Sequence, residues 1–310
     1  MPRGPFSGVL SPTISPVAAD GSVDTIRFQA LCKWQLANGL DGLAIFGTTS
    51  EANSIALTER MKQTEALVKV GVPASKLMPG TGSCSLMDTV TLTKQAVELG
   101  AGGVLLLPPF FYRAATDDGL FAYVSEVIRL VADDRLKIYL YHIPPFAMVG
   151  WSVPLIQRLV QAFPNIVVGL KDSSGDWKNT KSILDNVPDF DVFPGSELFL
   201  LDGFDNGAAG CISATANVNP AGIRTVIDAY HAGDKDTLDT ANDKMRRVRT
   251  VFQNHGLITG VKAAVAHYSH DDIWGVVRPP LVGLDSDATG RLVADLTAVD
   301  FSIDFQGSLG

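Results

Sequence analysis

The chain lacks the charge balance, the cysteine pattern and the apolar runs that mark several classes of protein. Its 25 Lys and Arg against 33 Asp and Glu give a net charge of −8, without the basic cluster that nucleic-acid binding requires. The three cysteines, Cys32, Cys84 and Cys211, form no CxxC pair, which argues against a disulfide scaffold or a zinc cluster. No apolar run approaches the roughly 18 residues of a membrane helix, and the N-terminal residues lack the apolar segment of a secretory signal. We therefore predict a soluble, cytoplasmic protein that binds neither nucleic acid nor a membrane.

What the sequence contains is a regular alternation of short apolar runs and helical patterns before residue 234. The predicted strands are residues 8–10, 42–46, 76–79, 103–107, 137–141, 166–170, 191–193 and 208–212. A helical pattern follows each of them, and eight such β-then-α units are typical of a (β/α)8 barrel. A doubly wound open sheet is the rival architecture, but it would not need eight evenly spaced units.

The last part of the chain shows helical patterns without strands. The predicted helices there are residues 238–253, 257–268 and 286–298. We predict an α/β fold, namely a (β/α)8 TIM barrel over residues 1–233 with a C-terminal helical appendage over residues 234–310 packed on it. No low-complexity linker separates the two parts, so we expect one folding unit.

The most informative residue is Lys171, which stops the apolar run of residues 166–170. Such a run fits a strand buried on both faces, and the active site of a (β/α)8 barrel lies at the carboxyl ends of its strands. A lysine at that position loses hydration, which disfavours its ammonium form, and a neutral amine can form a Schiff base with a ketone. A lysine that extends to water at a strand end is the structural alternative.

Other lysines beside apolar runs occupy different positions. Lys76 and Lys137 begin predicted strands and so belong to the opposite face, while Lys262 lies in a helical pattern where the surface or packing is the ordinary interpretation. Lys171 is therefore the one lysine among these four that ends a strand, which makes it the candidate nucleophile.

Further side chains follow the predicted strands and should gather at the same end. Tyr141 ends the strand before Lys171, and Thr48 and Thr49 follow the second strand. The remaining residues at strand ends are Phe110, Phe111, Tyr112, Ser196, Glu197 and Ser213. Each has a structural alternative, such as an ordinary turn for the threonines, a core aromatic for Tyr141 or a loop cap for Ser213. Together, a lysine, a tyrosine and two threonines indicate a carbonyl-chemistry site.

Five stretches give the chain a recognisable family pattern. They are Gly47-Thr-Thr-Ser-Glu51, Tyr141-His-Ile-Pro144, Gly169-Leu-Lys-Asp-Ser-Ser-Gly-Asp176, Gly195-Ser-Glu197 and Gly210-Cys-Ile-Ser-Ala-Thr-Ala-Asn217. Through these stretches, the chain resembles the dihydrodipicolinate synthase / N-acetylneuraminate lyase family of class I pyruvate-type aldolases over residues 8 to 280. The resemblance implies a (β/α)8 barrel with a C-terminal helical domain, a homotetramer or dimer, a small 2-oxo acid as substrate, and no metal or organic cofactor.

The resemblance also implies roles for individual residues. Lys171 forms the Schiff base with the 2-oxo group, and Tyr141 is the proton shuttle. Thr48 and Thr49 bind the carboxylate of the 2-oxo acid through N–H and hydroxyl groups, and Thr49 is placed among the catalytic residues.

The other site residues implied by the resemblance bind substrate. The backbone at Ile212 lines the pyruvate pocket. Ser196 and Glu197 stand where sugar-acid lyases of the family bind hydroxyls of the substrate. The predicted substrate-binding set is completed by Gly195, Ser213, Phe111 and Phe146.

Three positions depart from the family pattern. Ser50 stands where the first motif usually has glycine. Phe111 replaces a tyrosine that, in dihydrodipicolinate synthases, reaches in from a neighbouring subunit, and Phe146 replaces an arginine that holds the carboxylate of the aldehyde substrate. A phenylalanine can neither relay a proton nor pair with a carboxylate. Arg113 is the nearby cation that could stand in for the missing arginine.

These departures shape the predicted function. We expect a Schiff-base-forming lyase, either aldolase or dehydratase, that acts on pyruvate or a related 2-oxo acid, with a 2-keto-3-deoxy sugar acid as one candidate. The alternative enzyme is 4-hydroxy-tetrahydrodipicolinate (dihydrodipicolinate) synthase. The alternative from another class is a catalytically silent small-molecule binder, which would need neither Lys171 nor Tyr141.

Overall fold

The structure, a computed structural model, describes residues 4–305. The chain divides into two compact units, one made of Met1–Gly8 and Pro73–Ile212 and the other of Val9–Val72 and Ser213–Gly310. These two units do not test the domain boundary predicted after residue 233, which stays a prediction.

Strands and helices alternate along the described residues. The strands are β1 (Gly8–Ser11), β2 (Gly42–Leu43), β3 (Val104–Leu106), β4 (Ile138–His142), β5 (Val167–Asp172), β6 (Asp191–Pro194) and β7 (Gly210–Ile212). The helices are α1 (Thr25–Ala37), α2 (Leu57–Lys69), α3 (Leu86–Glu98), α4 (Asp117–Val131), α5 (Pro144–Ala147), α6 (Val153–Ala162), α7 (Trp177–Asn186), α8 (Leu200–Asp205), α9 (Pro220–Ala232), α10 (Lys235–His255), α11 (Thr259–Ser269) and α12 (Ser286–Ala298).

The first unit is built on a parallel sheet in the order β3–β4–β5–β6. In the register of β4 and β5, Tyr141 pairs with Lys171 and His142 pairs with Asp172. Because successive side chains of a strand point to opposite faces, the first pair shares one face and the second pair shares the other. Tyr141 and Lys171 each stand one residue before the last residue of their strands, so the prediction that they lie at the carboxyl ends of neighbouring strands is confirmed.

Helices cover one face of this sheet with apolar side chains. Helix α6 begins where the Ser152 side chain accepts a hydrogen bond from the Leu155 N–H at 3.2 Å, as is typical of a serine N-cap. Leu155, Ile156 and Leu159 pack in one cluster with residues of β3, β4, β5 and α4. Burying such a side chain contributes about 1.5–3 kcal/mol, so this layer fixes the positions of the strand ends.

The second unit contains β1 and β2, with Leu10 opposite Gly42 in a parallel pair. Its apolar cluster joins Trp34 of α1, Phe252 of α10 and Leu292 of α12 around the fully buried Trp274. The three predicted C-terminal helices are therefore present as α10, α11 and α12, and their apolar faces supply much of this cluster.

Several predicted strand bounds are wrong in detail. Residues 76–79 form no regular strand, because a 3-10 helix at Ala74–Lys76 is followed by a single parallel bridge between Gly80 and Leu105. Pro79, which has no N–H to donate, accepts one bond from the Leu105 N–H at 2.9 Å.

The remaining strands differ from their predictions by one to three residues at one or both ends, and two of these differences lie next to predicted site residues. The strand predicted over residues 42–46 ends at Leu43, since the chain turns and Phe46 has a positive φ of 57°. The strand predicted to stop before Lys171 continues through it to Asp172. Lys171 and Asp172 are tolerated in this buried strand because each has polar contacts, which are described below.

Candidate active site

Lys171 and Tyr141 form the centre of the candidate site. The Lys171 Nζ lies 3.4 Å from the Tyr141 Oη and 4.5 Å from the centroid of the tyrosine ring. Both residues are buried, at 3% and 4% exposure. The arrangement places an amine nucleophile and a hydroxyl that can exchange protons with it at hydrogen-bonding distance.

The opposite face of the same strands holds this pair in place. The buried Asp172 carboxylate accepts hydrogen bonds from the Ser174 N–H at 2.9 Å, the Asn179 amide at 3.0 Å and the Thr180 hydroxyl at 2.7 Å. A buried carboxylate is stable only with such partners, so the loop and the helix after β5 are bound to the residue that follows Lys171.

His142 anchors the residue next to Tyr141. Its Nδ1 accepts a hydrogen bond from the Trp151 N–H at 3.0 Å, and the Trp151 indole donates to the Tyr141 carbonyl at 3.1 Å. Burial holds the pKa of His142 below its ordinary value, although the nearby Asp172 charge opposes that shift. A neutral imidazole with an unprotonated Nδ1 fits the bond from Trp151.

The loop after β6 approaches the loop after β5 closely. The Gly195 N–H donates to the Asp172 carbonyl at 2.6 Å, and a Cβ at Gly195 would lie 2.2 Å from the Ser173 Oγ. A side chain at this position would displace the Ser173 hydroxyl and press on the Asp172 carbonyl at 3.0 Å, so the close approach of the two loops favours glycine. The Ser196 hydroxyl accepts from the Leu198 N–H at 3.3 Å and caps a 3-10 helix in which Glu197 is buried.

The predicted threonines lie in the second unit, on the turn after β2. The Glu51 N–H donates to the Thr48 carbonyl at 3.0 Å and the Ala52 N–H to the Gly47 carbonyl at 3.2 Å, which closes the turn. Thr48 is half-buried and Thr49 is buried.

Ile212 and Ser213 mark the end of β7. Ile212 belongs to the first unit and is fully buried. Ser213 belongs to the second unit and is also buried, and its Oγ accepts a hydrogen bond from the Arg249 guanidinium of α10 at 3.0 Å. The cap suggested for Ser213 is therefore replaced by a contact with a distant arginine.

The profile of the dihydrodipicolinate synthetase family matches residues 5–299 of this chain. The chain belongs to this family. A DapA-like lyase of Chloroflexus aurantiacus is 31% identical over 293 residues, which cover 94% of this chain and 95% of that protein.

Solved structures of the family have the same fold. Dihydrodipicolinate synthase from Agrobacterium tumefaciens aligns with a TM-score of 0.86 at 31% identity, over 95% of this chain and 99% of that one. N-acetylneuraminate lyase of Proteus mirabilis aligns with a TM-score of 0.84 at 25% identity, over 96% and 99%. The predicted fold class, a (β/α)8 TIM barrel with a C-terminal helical appendage, is confirmed.

The two phenylalanines that depart from the pattern of dihydrodipicolinate synthases are both exposed. Phe111 is 73% and Phe146 is 69% exposed, and Phe146 is the third residue of the short helix α5, which follows β4 and Ile143. Arg113 is exposed as well. Neither phenylalanine belongs to the buried apolar clusters of the described residues.

Features associated with other classes of site do not occur among residues 4–305. No three His, Cys, Asp or Glu side chains there are grouped so that they could hold a metal ion. Over the same range, no helix combines the length and the apolar character that crossing a bilayer would take.

Sequence reasoning missed two buried charged residues that have distant polar partners. Lys262, which a helical pattern assigns to the surface or to packing, is fully buried and paired with Glu51. Arg249 was not singled out either. The available signal for Lys262 was that it is a charged residue within an apolar helical stretch, but its partner Glu51 is 211 residues away along the chain. Arg249 lies in a helix rich in charged residues, which gives no such signal, and its partner Ser213 is 36 residues away.

Proposed function

We propose that the protein is a class I lyase that forms a Schiff base between Lys171 and pyruvate or a related 2-oxo acid. The observation that carries this proposal is the buried amine of Lys171 at 3.4 Å from the Tyr141 hydroxyl. Membership of a family whose relatives include lyases and synthases supports the same class of reaction.

The proposed chemistry needs only groups that the chain provides. The neutral Lys171 amine adds to the carbonyl carbon of the 2-oxo acid, and the nitrogen loses a proton as the carbonyl oxygen gains one. Tyr141 is placed to transfer this proton. Tyr141 then protonates the hydroxyl, which leaves as water, and the protonated imine that remains draws electrons from the neighbouring carbon.

The imine accounts for both candidate reactions. It accepts the electron pair left when a carbon–carbon bond breaks, and the resulting enamine regains a proton before water hydrolyses the imine. In a dehydration, the carbon next to the imine loses a proton instead, and the enamine so formed expels the hydroxyl of the following carbon, which takes up a proton and leaves as water. Both routes regenerate Lys171, so neither requires a metal or an organic cofactor.

Substrate recognition is assigned to the residues predicted from the sequence. Thr48 and Thr49 hold the carboxylate, with Thr49 counted among the catalytic residues. The backbone at Ile212 lines the pocket for the three-carbon unit. The remaining proposed contacts to the rest of the substrate are Gly195, Ser196, Glu197, Ser213, Phe111 and Phe146.

The exposed apolar rings favour a substrate whose distal part carries no charge. Phe111 and Phe146 offer neither a hydroxyl nor a cation, whereas Ser196 and Glu197 are polar. We therefore favour a 2-oxo acid with a neutral or hydroxylated tail, such as a 2-keto-3-deoxy sugar acid. We also propose that the protein works as a homo-oligomer, dimer or tetramer, in the cytoplasm.

4-Hydroxy-tetrahydrodipicolinate synthase is the second candidate, because the chain is 31% identical to the synthase of known structure from Agrobacterium tumefaciens. A panel of 2-oxo sugar acids, assayed for pyruvate release or for dehydration, separates the candidates. Turnover of at least one panel member that is lost in Lys171→Met supports the proposed lyase. No turnover of any member, together with rapid condensation of pyruvate and aspartate semialdehyde, would assign the synthase instead. A silent binder would catalyse neither reaction.

A further inference from the structure

The turn that carries Thr48 and Thr49 ends in a buried ion pair. The Glu51 Oε1 accepts a hydrogen bond from the Lys262 Nζ of α11, and its Oε2 accepts one from the Arg278 backbone N–H at 2.5 Å. The Lys262 and Glu51 side chains are 0% and 1% exposed. Both carboxylate oxygens are therefore used by groups distant in sequence, which fixes the position of Glu51 within its unit.

The backbone at Glu51 needs such support. Its φ of 59° and ψ of 33° lie in the left-handed region, which non-glycine residues rarely adopt. A residue keeps such a conformation where surrounding contacts impose it. Because the Glu51 N–H closes the turn on the Thr48 carbonyl, the ion pair and the turn geometry are coupled.

Ser50 adds a second anchor to the same turn. It is fully buried, its hydroxyl donates to the Thr13 carbonyl, and its own carbonyl accepts from the Ser15 hydroxyl at 2.9 Å. A glycine, which the family pattern usually has at this position, would have no hydroxyl to make the first bond. The serine at position 50 therefore gives this chain a hydrogen bond between the turn and the segment after β1.

We infer that Ser50, Glu51 and Lys262 are positioning residues that hold the Thr48–Thr49 turn in the geometry that binds the substrate carboxylate. The inference rests on the proposed function, in which this turn recognises the 2-oxo acid. Recognition of an anion by N–H and hydroxyl donors depends on their orientation, and a supporting shell sets it. The charge of Lys262 also compensates the buried Glu51 carboxylate, which would otherwise be unpaired.

The inference predicts a specific kinetic signature. Loosening the turn should weaken the binding of pyruvate, while Lys171 and Tyr141, which belong to the other compact unit, keep their chemistry. The concentration of pyruvate at half-maximal borohydride trapping should rise, and the trapping rate at saturation should stay near that of the unmodified protein. A merely structural role would lower thermal stability without changing the half-saturating concentration.

The variants are Ser50→Ala, which removes one hydroxyl, and Lys262→Met, which removes the charge and keeps the length. We expect the half-saturating pyruvate concentration to rise about 5-fold in the first, as for one lost hydrogen bond, and about 10-fold or more in the second. Glu51→Gln combined with Lys262→Met removes both charges and should recover part of the loss. The matched control is Arg224→Met, which breaks the Arg224–Asp41 ion pair of the same unit away from the turn and should lower Tm only.

The outcomes distinguish this inference from the proposed function. If the unmodified protein is trapped but Ser50→Ala and Lys262→Met saturate as it does, the positioning role is refuted while the Schiff-base chemistry stands. The same conclusion follows if Arg224→Met raises the half-saturating concentration as much as they do. If the unmodified protein forms no adduct, the proposed function itself fails. Ser50→Ala decides the question even if Lys262→Met does not fold.

Discussion

The replacement of an arginine by Phe146 should decide which aldehydes the enzyme accepts. In dihydrodipicolinate synthases, the matching arginine holds the carboxylate of the aldehyde substrate, and a charge-assisted hydrogen bond of this kind is worth roughly 1.5–3 kcal/mol. Since 1.4 kcal/mol corresponds to about a factor of ten, its loss should weaken the use of aspartate semialdehyde by about 10–100-fold. Phe146 is 69% exposed, so solvent screening favours the lower end of this range.

The perturbation that tests this reasoning is Phe146→Arg. We expect it to raise kcat/KM for condensation of pyruvate with aspartate semialdehyde by about tenfold and to leave the turnover of a 2-oxo acid with a hydroxylated tail unimproved. Met148→Arg is the matched control, because Met148 is 58% exposed, follows the same helix α5 and receives the same added charge.

Two results would refute the reasoning about Phe146. One is that the unmodified protein already uses the semialdehyde faster than any 2-oxo sugar acid under the same conditions, which would mean that another cation, such as Arg113, replaces the arginine. The other is an equal gain in Phe146→Arg and Met148→Arg, which would show a general effect of charge.

Three further predictions concern the strands around the reacting pair. Tyr141→Phe should keep the fold and lose about 10²–10⁴-fold in kcat, and near-normal turnover of the folded variant would contradict the shuttle role. Because burial lowers the pKa of His142, the unfolded state binds a proton at this residue at a higher pH than the folded state does, so the free energy of unfolding should fall as pH drops below about 6.5. Denaturant titrations at pH 7.5 and 5.5 should show a smaller fall in His142→Asn than in the unmodified protein. An unchanged fall would exclude His142 as its cause. Thr180→Val removes one of the bonds to the buried Asp172 carboxylate and should lower the free energy of unfolding by about 1–3 kcal/mol, whereas an unchanged Tm would show that water replaces the hydroxyl.

The pairing of Lys171 with Tyr141 could be predicted because it depends on short-range order. Two consecutive strands in a parallel barrel are neighbours, and residues at matching ends of these strands fall on the same side when the register agrees. The apolar run before Lys171 was sufficient to place its end of β5. The five family stretches then indicated the chemistry that we propose, without any knowledge of distances.

The parts that could not be predicted depend on distant partners or on backbone conformation. Residues 76–79 alternate poorly and contain Pro79, so whether they pair regularly depends on the neighbouring strand rather than on their own sequence. The burial of Lys262 depends on Glu51, 211 residues away, and no local pattern contains that information. The left-handed conformation of Glu51 is equally invisible, because glutamate has no preference for it.

The central claim is that Lys171 is the nucleophile, and covalent trapping tests it most directly. The protein is incubated with pyruvate and borohydride, digested and analysed by mass spectrometry, with Lys171→Met treated in parallel. The account predicts one reduced pyruvate adduct, located on Lys171 and absent from the variant. An adduct on Lys262, or no adduct on any lysine of a folded protein, would contradict it.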